Sequence, residues 1–182
     1  MNHYKKNDKI KCINNRSRKG AAVCRNLGNH IAEGDIIAVC DAGDFYPEYR
    51  GNFINKFFKS NKEADIFYSD VLISDATGTP LGKQQATEFK GECKPPISHP
   101  TAAYKKKVNK IKYLEGYLDT DLYEFFFINC FRDKLKFGFI NDVTCIKKDL
   151  SSSGDSRDIK KAKELKTQKY KEFGIDIKAE EV

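Results

Sequence analysis

Residues 36–40, Ile-Ile-Ala-Val-Cys, form an unbroken apolar run between a helical pattern and an acidic turn, and that placement constrains the fold more than any other feature of the chain. A short continuous run bounded in this way reads as a strand buried on both faces rather than as an edge strand. Upstream, Val23, Leu27 and Ile31 recur every four residues and predict a helix over residues 21–33, which Gly34 ends. Helix followed by buried strand in this rhythm indicates an α/β domain with a mostly parallel sheet.

The remaining elements are expected to follow the same plan. Residues 9–13 alternate weakly and read as a short strand, with a polar loop over residues 14–20. Pro47 suits a first helical turn, so a helix is expected over residues 47–60 with Phe53, Ile54, Phe57 and Phe58 as its apolar stripe. Residues 66–68 read as a second strand ending in Ser69-Asp70, and residues 75–98 are too rich in turn formers for any element to be assigned. Residues 121–132 predict a helix of strongly aromatic character, and residues 141–147 a last strand. The expected organisation is one domain over residues 1–155 and a helical tail over residues 156–182 that mixes basic and acidic side chains.

Size and charge narrow the function classes. A chain of 182 residues and 20.8 kDa suits one ordinary domain. Its apolar runs are far too short to cross a bilayer, and no apolar stretch follows Met1–Lys6, so the expected setting is cytoplasmic, with the inner face of a membrane as a peripheral contact for the basic ends. The six cysteines (12, 24, 40, 93, 130 and 145) show no CxxC spacing and are expected to be reduced and mostly buried. Net charge is +7, and most of it lies in residues 1–20, where seven Lys or Arg face Asp8 alone. Such a cluster suits a phosphate-rich partner or plain solubility. Nucleic acid is disfavoured, because the chain has neither regularly spaced stacking aromatics nor a recognisable module signature.

Chemistry is best placed at Asp41 and Asp44. In an open α/β sheet the ligand crevice lies beyond the carboxyl ends of the strands, and these acids directly follow the most buried-looking one. Two carboxylates in one turn repel each other, and Mg2+ or Mn2+ bridging to a diphosphate would relieve the repulsion; equally, both could simply cap the following helix. Arg25-Asn26, one turn into a helix that begins after Gly20, could hold a phosphate or could belong to a solvated face. Asp119 or Asp121 could act as general base on a hydroxyl or cap the aromatic helix. His99, in Pro-Ile-Ser-His-Pro, is a candidate metal or phosphate contact, with an exposed loop residue as the plain alternative.

The order of these features resembles the family 2 glycosyltransferases, nucleotide-sugar-binding proteins of the GT-A fold. Residues 19–49, KGAAVCRNLGNHIAEGDIIAVCDAGDFYPEY, place Gly20, Arg25, Asn26, Ala32, Gly34, Asp35, Asp41, Asp44 and Pro47 in step with the family pattern. ADIFYSD resembles the next family strand, and YLEGYLDTDLYEFFFINCFRDKLKFGFI the acceptor-side segment; together with ISHP these resemble bacterial capsule and chondroitin-type polymerases. The likeness covers about residues 9–155. It implies transfer of a sugar from a nucleoside diphosphate sugar, with UDP favoured, to a saccharide acceptor hydroxyl, with inversion and with Mn2+ or Mg2+ as cofactor. By the same resemblance Asp41 would hold the ribose or metal side of the donor, Asp44 the cation and diphosphate, Arg25 and Asn26 the nucleotide or phosphate, and Asp121 would be the base. Two departures accompany it: the family's first two strands have no counterpart here, and Gly43 stands where the family turn carries an acid. They leave open a truncated or degenerate relative, a binding or assembly module whose sheet a second copy or a partner completes.

Overall fold

The computed structural model describes residues 7–116, 122–149 and 159–175. In chain order these form α1 (Ala21–Ile31), β1 (Ile36–Ala38), α2 (Arg50–Ser60), β2 (Ile66–Ser74), β3 (Pro80–Gln84), β4 (Ala103–Lys105), α3 (Tyr123–Arg132), β5 (Phe137–Lys148) and α4 (Ile159–Glu172), with a short 3-10 turn at His99–Thr101 before β4.

β2 is the centre of the sheet, and Ile66, Phe67, Tyr68 and Val71 are wholly buried in it. Along one edge it pairs in parallel with β5; β4 and β3 pair antiparallel with its first and last parts respectively. β4 also pairs antiparallel with β1, so β1, β2 and β5 run parallel. The ladder between β2 and β5 slips at Ser69/Asp70 and again at Asp70/Val71. At this bulge the buried Asp70 carboxylate accepts the Ala86 N–H at 2.7 Å and the Asn141 amide at 3.3 Å, and meets the Lys83 ammonium at 2.7 Å. Burial opposes ionisation there, yet these partners hold the carboxyl below its usual range.

Alternation along the strands builds two cores. Ile66, Tyr68 and Tyr104 face α3, whereas Phe67 and Ala103 face Ile54 and Phe58 of α2. α3 is buried nearly all round: Phe126 stacks on Tyr113 with centroids 4.3 Å apart, while Phe125 meets Tyr170 at 4.8 Å and Phe173 at 4.6 Å. α4 therefore covers a face of α3 that an aromatic helix could not leave in water, and Lys166 closes on the buried Glu124 at 2.7 Å.

Several local expectations are corrected. Residues 9–13 form no strand, because Ile10 and Ile13 find no sheet to join and stay exposed. β1 spans only 36–38 and is half-buried, since β4 is its sole ladder partner among the described residues. α2 starts at Arg50, after a turn through 47–49, and residues 75–98, whose turn formers predict no element, contain β3. β5 begins at Phe137, four residues before the expected strand. All six thiols are free, but Cys12, Cys24 and Cys40 are exposed. Among the described residues no helix is long and apolar enough to cross a membrane.

Candidate functional site

Just beyond the carboxyl end of β1, the Val39 N–H binds the Ala102 carbonyl at 3.0 Å and the chain turns through residues 41–44. Three elements converge on Asp41. Arg25, from α1, meets Oδ1 at 3.1 Å, and Nδ1 of His99, from the 3-10 turn, meets Oδ2 at 3.1 Å. The Asp41 backbone N–H donates to the Tyr46 hydroxyl at 2.7 Å. Partial burial would raise the Asp41 pKa, but the His99 and Arg25 contacts override it and hold the carboxyl at about 2.

Asp44 is tied to the far end of the sheet. Its Oδ1 accepts the Lys148 N–H at 3.1 Å, while Phe45 and Ile146 exchange backbone hydrogen bonds of 2.9 and 2.8 Å. Burial and the neighbouring Asp41 charge push its carboxyl upward against the Lys148 hydrogen bond. Between the two acids, Gly43 sits at φ 92°, a conformation that side-chain-bearing residues rarely adopt. The turn shape here therefore requires glycine where the family pattern has an acid.

The remaining expected residues divide. Asn26 is buried and pairs with the Tyr113 backbone in both directions, each bond 2.9 Å, while its amide also reaches Glu115 at 2.7 Å. His99 is 2% exposed, and its second nitrogen lies 3.1 Å from the Tyr113 hydroxyl, so both ring nitrogens have partners inside the protein. Asp121 and Asp119 lie outside the described residues. Arg25, Asn26, Asp41 and His99 thus come together around Tyr113, whose ring also lies 5.5 Å from the Arg25 guanidinium carbon. Asn26 and Tyr113 further line an open cleft of about 560 Å3 with Val23, Leu27, His30 and Lys112.

Sequence reasoning missed Tyr113, Tyr46 and Arg50. Buried Arg50 donates to the Pro100 carbonyl at 2.9 Å and to Cys40 Sγ at 3.4 Å, and its guanidinium carbon lies 4.6 Å from the Tyr46 ring centre. It fastens the acidic turn to the segment carrying His99. Only its place at the start of the Phe53/Ile54 helix, on the side that faces the sheet, could have signalled this role.

The donor set fits a cation in a limited way. Among the described residues no three His, Cys, Asp or Glu converge. Both Asp41 oxygens already have partners, whereas the hydrogen bond at Asp44 occupies only Oδ1. Mg2+ is commonly held by one or two carboxylates with phosphate oxygens and water, and Asp44 suits that role.

No protein-family profile matches the chain. It is 28% identical over 151 residues to an uncharacterized glycosyltransferase of Methanocaldococcus jannaschii, covering 78% of this chain and 52% of that protein. S. aureus TarS 1-349 in complex with UDP-GlcNAc superposes with a TM-score of 0.60 at 13% identity, over 99% of this chain and 55% of the TarS 1-349 chain. A second crystal structure of TarS 1-349 gives a TM-score of 0.51 at 14% identity, over 89% of this chain and 48% of that one. These likenesses and the sheet order define the class: the chain has the α/β GT-A fold of glycosyltransferases. It spans about half the length of the proteins it matches.

Proposed function

We propose that the chain is a glycosyltransferase that moves a sugar from a nucleoside diphosphate sugar to an acceptor hydroxyl in polysaccharide or glycan synthesis. The observation that carries this reading is the acidic turn at the carboxyl end of β1, where Arg25 and His99 clamp one carboxylate and Asp44 offers another, in a GT-A sheet. UDP is the favoured nucleotide, and the complex of TarS with UDP-GlcNAc supports it.

In this reading Asp41, Arg25 and Asn26 line the nucleotide side and Asp44 holds Mn2+ or Mg2+. Such a cation would offset charge on the departing diphosphate. Asp121 takes the proton of the acceptor hydroxyl as that oxygen bonds to the anomeric carbon; the bond from that carbon to the diphosphate breaks with inversion, and nucleoside diphosphate leaves with the electron pair.

Isothermal titration of UDP with and without Mn2+ tests the reading. Binding that needs Mn2+ and disappears in Asp44→Ala is expected; absence of heat from UDP, GDP and their sugars would overturn it.

A second reading, a binding or assembly module, is favoured by one observation. β1 pairs only with β4 among the described residues, and Val23, Leu27 and Ile31 of α1 are only half-buried. A strand from a second copy or a partner would pair with the open edge of β1. Light scattering that finds only monomer would count against it.

A further inference from the structure

We infer that His99 is a positioning residue that sets the direction of the Asp41 carboxylate, and that the Tyr113 hydroxyl, on the other ring nitrogen, holds the imidazole in the orientation this needs. Asp41 is a carboxylate at neutral pH and can only accept, so Nδ1 of His99, 3.1 Å from Oδ2, must donate. The same ring's Nε2 lies 3.1 Å from the Tyr113 hydroxyl, a neutral phenol able to donate to it. The Tyr113 oxygen is 3.4 Å from that of Tyr104, which donates to Asn29 of α1 at 2.9 Å. With the Tyr104 proton given to Asn29 and the Tyr113 proton to His99, the two phenol oxygens only approach each other, and the hydrogen-bonded line to the acidic turn starts at Tyr113.

The ring has little freedom to turn. Tyr113 meets it edge-on with centroids 5.6 Å apart, Tyr123 lies at 5.0 Å and Phe127 at 6.2 Å, the last two from α3. Arg25 holds the other Asp41 oxygen. The carboxylate is clamped from two elements, and only its remaining lone pairs face a ligand. This makes His99 a group that acts through Asp41 instead of touching substrate or metal itself. It also explains why a histidine is fully buried next to a site expected to bind phosphate.

The importance of this clamp for a nucleotide rests on the proposed function, but the clamp itself does not, and two measurements separate them. The first is long-range 15N NMR of the full chain at pH 8, where only His3, His30 and His99 contribute. A proton on Nδ1 of His99 is expected, retained in Tyr113→Phe because Asp41 still accepts it, while the Nε2 signal shifts as its hydroxyl partner is removed. A bare Nδ1 would overturn the inference whatever the nucleotide does.

The second is titration of UDP with Mn2+ into wild type, Tyr113→Phe, His99→Asn and His99→Leu. Asparagine can present its amide N–H near the Nδ1 position, so His99→Asn should bind within about threefold of wild type, whereas His99→Leu should lose at least tenfold. Tyr113→Phe keeps the stacked ring and should lose affinity without a matching fall in melting temperature, a split that a purely structural role would not produce. Equal binding by all four proteins would overturn the positioning role. If wild type binds no UDP while Nδ1 is protonated, the proposed function fails and the clamp stands.

Discussion

Asp41 and Asp44 are three residues apart and are driven in opposite directions. Asp41, clamped by His99 and Arg25, is held at about 2; Asp44, partly buried beside that charge, is pushed up. A carboxyl whose folded value lies below its unfolded one stabilises the fold above the unfolded value, and loses that contribution as pH falls through the folded one. For Asp41 the window runs from about pH 4 down to about 2. The full shift would correspond to roughly 2 kcal/mol, and the partly exposed side chain reduces this to about 1 kcal/mol. Urea unfolding of wild type and Asp41→Asn should therefore show a gap of about that size at pH 5 that closes by pH 2. A gap that widens on acidification would contradict the clamp. The acids themselves were readable from their place after the apolar run. Their unequal environments were not, because His99 is 58 positions from Asp41 in the chain.

At the scale of elements, α2 packs its expected stripe onto the sheet where β5 passes. Gly138 in β5 lies under Phe57, and a Cβ built there would come within 2.6 Å of the ring's far end. Gly138→Ala should therefore displace Phe57 and cost about 1–3 kcal/mol, read as a lower urea midpoint at unchanged slope. The double variant with Phe57→Leu should recover part of that loss, since the two sites share one contact. The stripe of α2 was legible because its period is local. The start of β5 was not: Phe137 to Ile140 pair with Ile66 to Ser69 across a long sequence separation, and the bulge that follows breaks the alternation that marks a strand.

For the whole molecule, the segment expected to be a separate helical tail carries Tyr170, Phe173 and Ile175 against the same core as β2 and α3. Tyr170 is 4% exposed and meets Phe125. Tyr170→Ala should cost about 3 kcal/mol and leave a single unfolding transition followed by both far-ultraviolet and near-ultraviolet circular dichroism. An early separate loss of helix, with the tertiary signal intact, would show that α4 unfolds on its own. The sheet is most exposed along β3, all five of whose residues face solvent, while β1 is half-buried; each has one ladder partner among the described residues.

Amino-acid order alone determined the class of fold and the position of its acidic turn. The spacing of Val23, Leu27 and Ile31, the run at residues 36–40, and Asp41 and Asp44 behind it are local signals, and local signals survive without a folded chain. Tertiary structure decided the rest. It placed a buried histidine on Asp41, put Arg50 and Tyr113 behind the turn, left β1 half-covered, and folded an apparently polar tail onto α3. Each of these depends on contacts between residues far apart in sequence, whose energy comes from burial and hydrogen bonding that exist only once the chain has closed on itself.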